Sequence, residues 1–390
     1  MSKRFKIVIS DCHLSAGRFF EGSLNPYEDF NLDEEMLSFF DYFSTGKYGS
    51  TAEGDPIRVD LIINGDYFDY LNVPVHGEFE ESITEEIALY KTDAILKGHP
   101  KVMAALKRFA SRPGKRIQYL IGNHDAELFF PKVREMITRA WDPDGAFPST
   151  KVEVLADVDR IHDEAGIEIR HGNQYETGNR MDFQEPFITE DLPEPVLKLP
   201  WGSIYVLKII NRMKWERSYV DKVRPLKVFV LFGLILHPIF TLRFVIYSGY
   251  YFLKTRIEWV LKRRSGGWKE TIGLLKQEAR LFQDLEDEAR LLHQEMPEVR
   301  TVIFGHTHRP MDRVYPDGKQ YINTGTWTRM INLDWSGLGQ NLRMTFAHVK
   351  IEDPVPDSGA EPTDVAVKPH IRAELREWVG EHYPHHSFQG

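Results

Sequence analysis

The chain has 390 residues, of which 42% are hydrophobic, enough to build one or two domains around a full core. Its net charge of −9 disfavours a nucleic-acid partner, because such partners normally meet a basic face. The single cysteine, Cys12, excludes an internal disulfide and fits a reducing compartment. The N-terminal apolar run is too short for an export signal, so we expect a cytoplasmic protein.

Apolar β-branched runs alternate with amphipathic stretches along the chain. The runs predict strands at 5–9, 59–64, 117–121, 152–156, 167–171, 301–304, 320–324 and 343–351. The stretches predict helices at 33–43, 83–96, 102–111, 128–141 and 268–294. After Glu352 the composition indicates a linker, followed by a short helix near 371–379. The pattern predicts an α/β fold built in layers.

Five short polar blocks each follow one of the apolar runs. They are Asp11-Cys12-His13, Gly65-Asp66-Tyr67-Phe68-Asp69, Gly122-Asn123-His124-Asp125, His171-Gly172 and Gly305-His306-Thr307-His308. Strands of an α/β sheet deliver their C-terminal residues to one edge, so we expect the five blocks to meet there. Carboxylate oxygens, imidazole nitrogens and an amide oxygen suit one or two divalent metals.

Spacing suggests how the blocks share such metals. Residues two apart at a strand end point the same way, so Asp11 and His13 can bind one metal, and the same holds for His306 and His308. Asp66 is the natural bridging carboxylate, because one oxygen can go to each of two cations. Two neighbouring metals would hold both the attacking and the leaving oxygen of a phosphoryl group.

The order D-x-H, G-D-x-x-D, G-N-H-D, H-G, G-H-x-H resembles the calcineurin-like metallophosphoesterase superfamily, over about residues 5–175 and 298–350. The resemblance implies two β-sheets flanked by helices and two divalent metal ions, manganese first, with iron or zinc as alternatives. It also implies the site residues. One metal would be bound by Asp11, His13, Asp66 and His308, and the other by Asp66, Asn123, His171 and His306. The catalytic residues would be His124, beyond the metals, and Asp125, which would orient His124.

Within the superfamily, the Gly305–Pro310 motif and the short second block are most similar to the UDP-2,3-diacylglucosamine pyrophosphohydrolases, peripheral membrane enzymes of lipid A synthesis. That group usually has arginine where this chain has His124, and the spacers between blocks one and two and between blocks four and five are longer here. The resemblance implies a domain at 1–352, with an insertion at 200–265 and a linker and tail at 353–390.

The insertion (residues 200–265) is both basic and apolar. From Lys208 to Arg264 there are 13 Lys and Arg against 3 Asp and Glu, and 228–242 contains no charged residue. Each apolar piece falls short of the roughly 20 residues of a spanning helix. Because His171 and His306 flank the insertion and should share a metal, it must leave and return on one side. It is either a buried helical hairpin or a lid that docks on anionic lipid headgroups, and we favour the lid.

The expected function is hydrolysis of a phosphoester or pyrophosphate bond in a lipid-linked or acylated nucleotide, at the inner face of a membrane. The alternatives are a soluble phosphodiesterase for cyclic nucleotides or small phosphodiesters, a nuclease, and a metal-bearing scaffold without turnover. Arg180, after the fourth block, is a candidate contact for substrate phosphate, although a loop arginine is more often solvated. The sequence does not predict an oligomeric state.

Overall fold

Two β-sheets form the centre of the chain in the computed structural model, which describes residues 3–142, 145, 151–262, 285–333, 338–352, 369–380 and 386–387. The first sheet contains, in spatial order, β19 (His386–Ser387), β18 (His370–Glu377), β17 (Thr345–Glu352), β1 (Lys3–Ile9), β4 (Arg58–Asn64), β5 (Lys115–Leu120) and β6 (Val152–Leu155). Strands β1, β4, β5 and β6 run parallel, so their C-terminal ends lie at one edge.

The second sheet packs on the first. It contains, in spatial order, β13 (Met311–Val314), β14 (Gln320–Asn323), β12 (Thr301–Phe304), β8 (Ile167–Arg170) and β7 (Arg160–Asp163). Strand β12 runs parallel to both β8 and β14. A single buried cluster joins the facing surfaces, with contributions from Val8, Ile62, Leu120, Ile169, Ile303 and Ile322. The predicted fold class, two sheets flanked by helices, is confirmed.

Four helices cover the outer face of the first sheet: α1 (Asp33–Ser44), α2 (Glu85–Gly98), α3 (Pro100–Ser111) and α4 (Pro131–Trp141). They begin where local chemistry favours a helix start. Thr84 caps α2 by accepting a hydrogen bond from the backbone N–H of Ile87, and Pro100 and Pro131 occupy the first turns of α3 and α4. All four predicted helices are confirmed within a few residues. A large aromatic core lies beneath them, including Phe39, Phe43, Phe109, Tyr119 and Trp141.

The prediction of a short helix at 371–379 is wrong, because this segment forms β18, paired along its whole length with β17. Ile371, Ala373 and Leu375 alternate toward the core between the sheets, which is the period of a strand. The unpaired edge of β17 therefore decides the conformation of a segment that is ambiguous by itself. The predicted linker at 353–368 lies outside the described residues.

The insertion is helical, as expected. It comprises a continuous helical stretch, α5 (Trp201–Tyr205), a π-turn (Val206–Ile210) and α6 (Asn211–Glu216), followed by β11 (Val223–Arg224), α7 (Leu226–Leu236) and α8 (Pro238–Lys262). Helices α7 and α8 pack together through Phe229, Phe240 and Phe244. Among the described helices, none combines the length and the apolar character needed to cross a bilayer.

Short elements complete the described chain. Strand β11 pairs with β15 (Met330–Asn332), which pairs with β16 (Gly339–Asn341), so the insertion is hydrogen-bonded to the segment after β14. Two further hairpins join β2 (Phe19–Phe20) to β3 (Ser23–Leu24) and β9 (Phe187–Ile188) to β10 (Val196–Leu197). Helix α9 (Glu286–Glu295) is the described end of the helix predicted at 268–294, and residues 268–284 lie outside the described chain.

Candidate metal centre

The five polar blocks meet at the C-terminal ends of β1, β4, β5, β8 and β12. Backbone hydrogen bonds join the loops directly: Asp11 N donates to Gly65 O (3.2 Å), His13 N to Asp66 O (3.0 Å) and Gly305 N to His171 O (2.9 Å). The structure therefore brings together the segments that the sequence analysis expected at one edge.

A first cluster contains Asp11, His13 and His308, each with one ligand atom within 4.8 Å of the others. His13 Nε2 lies 3.0 Å from His308 Nε2, and His308 Nε2 lies 3.3 Å from Asp11 Oδ1. Two nitrogen ligands of one tetrahedral ion lie about 3.3 Å apart. The separations thus fit ligands of a shared cation.

A second cluster contains Asp66, His171 and His306, and their ligand atoms also lie within 4.8 Å of one another. His171 Nδ1 lies 2.7 Å from Asn64 O, which can only accept, so Nδ1 carries a proton and Nε2 holds the lone pair of the neutral imidazole. That Nε2 lies 3.2 Å from Asp66 Oδ2. The Asn123 side chain is buried beside them, at the start of the turn that carries His124.

Four of the predicted ligands hold a buried polar atom without a hydrogen-bond partner: Asp11 Oδ1, Asn123 Oδ1, His171 Nε2 and His306 Nδ1. A buried polar atom left unsatisfied costs about 1–3 kcal/mol, and four at one place need a common explanation. Oxygen and imidazole nitrogen donors are the ligands of manganese, iron and zinc. The residues present therefore fit a divalent metal centre.

The ligand loops adopt an unusual backbone conformation. Of the eight described non-glycine residues with positive φ, five lie in these loops: Asp11 (φ 51°), His13 (φ 54°), Asp66 (φ 51°), His306 (φ 67°) and His308 (φ 59°). The other three are Glu21, His76 and Asp191. Non-glycine residues held there cost about 1–3 kcal/mol each and cluster at functional sites. Strand β1 ends at Ile9 and β12 at Phe304, so both pairs lie beyond their strands and strand alternation does not position them. With left-handed turns in both loops, Asp11 and His13 lie in one cluster, whereas His306 and His308 lie in different clusters.

Two glycines allow the loops to approach each other. A Cβ atom at Gly122 would lie 2.2 Å from Asp66 Oδ1, and a Cβ at Gly65, where φ is +78°, would lie 2.4 Å from His171 Nδ1. Both distances are far inside van der Waals contact. A side chain at either position would displace a predicted ligand.

His124 is oriented by Asp69, so the expectation that Asp125 orients it is wrong. His124 Nδ1 lies 3.0 Å from Asp69 Oδ1, and the other oxygen of Asp69 lies 3.3 Å from His13 Nδ1. Asp125 instead accepts hydrogen bonds from Gly122 N (2.5 Å) and the Tyr119 hydroxyl (2.6 Å). These hydrogen bonds direct the Asp125 carboxylate toward its own loop and strand. It therefore does not orient the imidazole of His124.

His124 and Asp69 each stabilise the charged form of the other. Burial would lower the pKa of His124, but the carboxylates of Asp69 and Asp66 outweigh it and raise the pKa to about 10. Burial would raise the pKa of Asp69, yet the charges and hydrogen bonds of His124 and His13 hold it well below its usual range. In the metal-free protein, His124 is thus a protonated imidazolium beside an ionised carboxylate.

Arg180 lies outside this arrangement. Its side chain is exposed, and its Nε donates to Gln174 O (2.8 Å), so no contact in the described chain directs it to either cluster.

Three residues that sequence analysis missed lie close to the clusters. Glu176 Oε2 lies 2.6 Å from His306 Nε2, and the Ser203 hydroxyl of α5 donates to Asn123 O (3.2 Å). Burial lowers the pKa of His308 to about 4, and the charge of Arg224 contributes to this shift. Ser203 and Arg224 belong to the insertion, and their neighbours in sequence give no sign of this proximity.

The sequence profile described as calcineurin-like phosphoesterase matches residues 7–310, well over half of the chain. The chain therefore belongs to the calcineurin-like phosphoesterase family. With the two clusters above, it is a metal-dependent phosphoester hydrolase with a divalent metal centre. No curated protein matches the chain.

Several solved structures resemble this one at low identity. One is a predicted phosphoesterase from Streptococcus pneumoniae TIGR4, 11% identical over 100% of this chain and 98% of that chain, with a TM-score of 0.29. A dimetal phosphatase from Danio rerio is 10% identical over 88% and 95%, with a TM-score of 0.35. A putative 5'-nucleotidase from Staphylococcus aureus is 10% identical over 96% and 54%, with a TM-score of 0.33. At these scores the family assignment rests on the sequence profile.

Proposed function

We propose that the chain is a binuclear phosphohydrolase that cleaves a phosphoester or pyrophosphate bond in a lipid-linked or acylated nucleotide at a membrane surface. Manganese is the ion we propose, with iron or zinc as alternatives. The observation that carries the lipid part of the proposal is the exposed apolar face of α7 and α8.

That face follows helical spacing. On α8, apolar or aromatic side chains are exposed at 239, 242, 246, 250 and 253, three or four residues apart, and Ile239 is 76% exposed. On α7, Leu231 and Ile235 extend the same character, with Ile235 70% exposed. Continuous exposed apolar surface of this kind marks an interaction site for protein or membrane. Helices that lie in the plane of a bilayer interface present such a face.

The charges near this face divide into two groups. Lys227 and Lys254 are exposed on α7 and α8, and exposed cations attract anionic headgroups. Lys214, one of the basic residues counted between Lys208 and Arg264, is instead fully buried between Asp29 (2.7 Å) and Asp221 (2.8 Å). Lys214 therefore anchors the insertion to the domain by ion pairs. Exposed cations such as Lys227 and Lys254 support the proposed lipid contact.

The insertion also lies close to the predicted ligands. Besides the Ser203–Asn123 contact, Asn211 Nδ2 of α6 donates to Leu71 O (2.7 Å), in the loop after the second block. The first part of the insertion, α5 and α6, therefore contacts the ligand loops, and α7 and α8 follow it in the chain. This proximity supports a substrate that has both a phosphoryl group and acyl chains.

In the proposed site, Asp11, His13 and His308 would hold one cation, Asn123, His171 and His306 would hold the other, and Asp66 would be shared. A divalent metal bound there would supply neutralisation of phosphoryl charge and a nucleophilic water near neutral pH. His124, with Nδ1 turned to Asp69, presents Nε2 to the substrate and donates a proton to the leaving oxygen. Asp69 keeps the imidazole in that orientation.

The test compares two substrates in the presence of manganese: UDP-2,3-diacylglucosamine, followed by nucleotide monophosphate release, and the soluble diester bis-p-nitrophenyl phosphate. We expect a higher kcat/KM for the acylated substrate. Turnover of the soluble diester alone would favour the second candidate, a soluble phosphodiesterase. That candidate is supported by the ionic anchoring of Lys214, which a purely structural insertion also requires.

Asp66→Asn should abolish turnover of both substrates and lower the bound manganese, because the amide has one oxygen and no charge to offer two cations. Asp317→Asn, at an exposed position in a turn, is the matched control and should leave both properties unchanged. Near-complete turnover in Asp66→Asn would contradict the binuclear proposal.

A further inference from the structure

His306 has a partner that lies outside the predicted ligand set. His306 belongs to the cluster with Asp66 and His171. Its Nε2 lies 2.6 Å from Glu176 Oε2, while its Nδ1 is buried without a hydrogen-bond partner. The two ring nitrogens thus have different environments, because Nε2 faces a carboxylate and Nδ1 has no partner among the described residues.

This arrangement determines which nitrogen carries the proton. An ionised carboxylate can only accept, so Nε2 must donate to Glu176, and a neutral imidazole has a single N–H. The lone pair then lies on Nδ1, the buried ring nitrogen without a hydrogen-bond partner. A metal-binding histidine needs a lone pair on one ring nitrogen, and a carboxylate that accepts from the other nitrogen fixes that tautomer.

Glu176 is itself held in place. Asn179 Nδ2 donates to the same Oε2 (2.6 Å), and the backbone N–H groups of Asn179 and Arg180 donate to Glu176 O at 3.0 and 2.9 Å. The loop begins at His171, so one short segment supplies a ligand of the second cluster and the support for another. The loop is also fixed to the insertion, because Gly202 N donates to Gly178 O (2.7 Å).

We propose that Glu176 is a positioning residue that fixes the tautomer and ring orientation of His306, and so sets the metal affinity of the second cluster. The inference rests on the proposed binuclear function. It predicts an asymmetry, because loss of Glu176 should weaken one metal equivalent and spare the cluster of Asp11, His13 and His308. Loss of such a partner typically costs about 10–100-fold in metal affinity.

The experiment uses the full chain, stripped of metal and titrated with Mn²⁺ by calorimetry. We expect two equivalents in the wild type and one of them weakened about 10–100-fold in Glu176→Leu. Glu176→Gln should lose less, because Asn179 holds the amide oxygen where it still accepts from His306. Glu185→Leu is the control, since Glu185 is an exposed carboxylate whose side chain is 81% accessible.

A second readout does not require metal. Nitrogen-15 NMR of labelled histidine in the metal-free protein, with the His306 signal assigned from His306→Asn, should show the proton on Nε2 in the wild type and in Glu176→Gln. Glu176→Leu should lose this preference. Should Glu176→Leu fail to fold, the comparison of Glu176→Gln with the wild type still tests the charge contribution through the affinity of one equivalent.

Some results would overturn the inference. Two unchanged manganese equivalents in Glu176→Leu, or an equal loss of both, would show that Glu176 does not support the second cluster selectively. If the wild type binds only one manganese ion, the proposed binuclear function is wrong. The NMR readout would still report on the Glu176–His306 contact in that case, so the two failures are distinguishable.

Discussion

At the scale of single residues, Asp69 connects both functions of the site. One of its oxygens faces the proposed catalytic His124 and the other faces the proposed ligand His13, while Asn72 Nδ2 donates to it at 2.7 Å. A single carboxylate therefore sets the orientation of a proton donor and of a metal ligand. Its removal should disturb the chemistry more than the metal content, because His13 keeps its neighbours Asp11 and His308.

We expect Asp69→Ala to lower kcat by about 10²–10⁴, the range that a positioned proton donor contributes. KM for the soluble diester should change much less, since the cations that meet the phosphoryl group remain. Steady-state kinetics in manganese would measure both parameters, with Asp317→Ala as an exposed control. A kcat within twofold of the wild type would mean that His124 does not need this partner.

The candidate site shows what residue spacing can and cannot predict. The five blocks and seven proposed ligands could be chosen from local motifs, because each block ends a strand and carries its own chemistry. The partner of His124 could not, since Asp69 lies 55 positions earlier in the sequence and only the fold brings them together. Glu176 and Arg224 were missed for the same reason: a single Glu or Arg outside a motif has no local signature.

At the scale of elements, helices with strong local signals were predicted and short or edge strands were not. Helix α2 has a capping threonine, α3 and α4 begin with proline, and all four helices have an apolar face, features that a sequence displays directly. Strands β7, β13 and β18 depend on a neighbouring strand for their hydrogen bonds, and β18 was predicted as helix. All eight residues of β18 pair with β17, and residues 353–368 separate the two strands in the sequence.

The apolar face of α7 and α8 leads to a prediction about lipid binding. Ile235→Glu with Ile239→Glu should lower binding to vesicles containing phosphatidylglycerol at least tenfold, because two exposed apolar side chains are replaced by charges that repel the headgroups. Co-sedimentation measures the effect. The control, Val314→Glu, changes a side chain that is also exposed, 65% accessible, but lies on β13 in the second sheet.

In the wild type, vesicle binding should weaken as salt is added, because part of the attraction comes from Lys227 and Lys254. Equal vesicle binding by the double variant and the wild type would show that the exposed face of α7 and α8 does not bind lipid. Equal loss in Val314→Glu would show that the effect is not specific to α7 and α8.

At the scale of the whole molecule, a buried ionic cluster joins the loop after the first block to the helical layer. His99, between α2 and α3, lies 3.2 Å from Glu28 and 3.0 Å from Asp33. Glu28 in turn accepts backbone hydrogen bonds from Ser15 and Gly17. Burial would lower the pKa of His99, but the two carboxylates outweigh it and raise the pKa to about 9.

A raised pKa in the folded state stabilises the protein while the imidazole is charged. The contribution is complete below the unfolded value near 6.5 and is lost as the pH rises through about 9. His99→Gln should therefore destabilise the protein by about 3 kcal/mol more at pH 6 than at pH 10. Urea unfolding of both proteins at the two pH values measures this difference. A difference that does not depend on pH would contradict it.

The exposed face of α7 and α8 has a practical consequence for handling the purified protein. Without a bilayer, the side chains around Ile235 and Ile239 meet water, and two copies of the chain can relieve that exposure by covering each other. Sedimentation velocity should therefore reveal self-association that grows with concentration, and a mild detergent above its critical micelle concentration should reverse it. Oligomers observed in detergent-free buffer would then reflect the uncovered apolar face, and kinetic tests of the proposed lipid substrate should begin in mixed micelles.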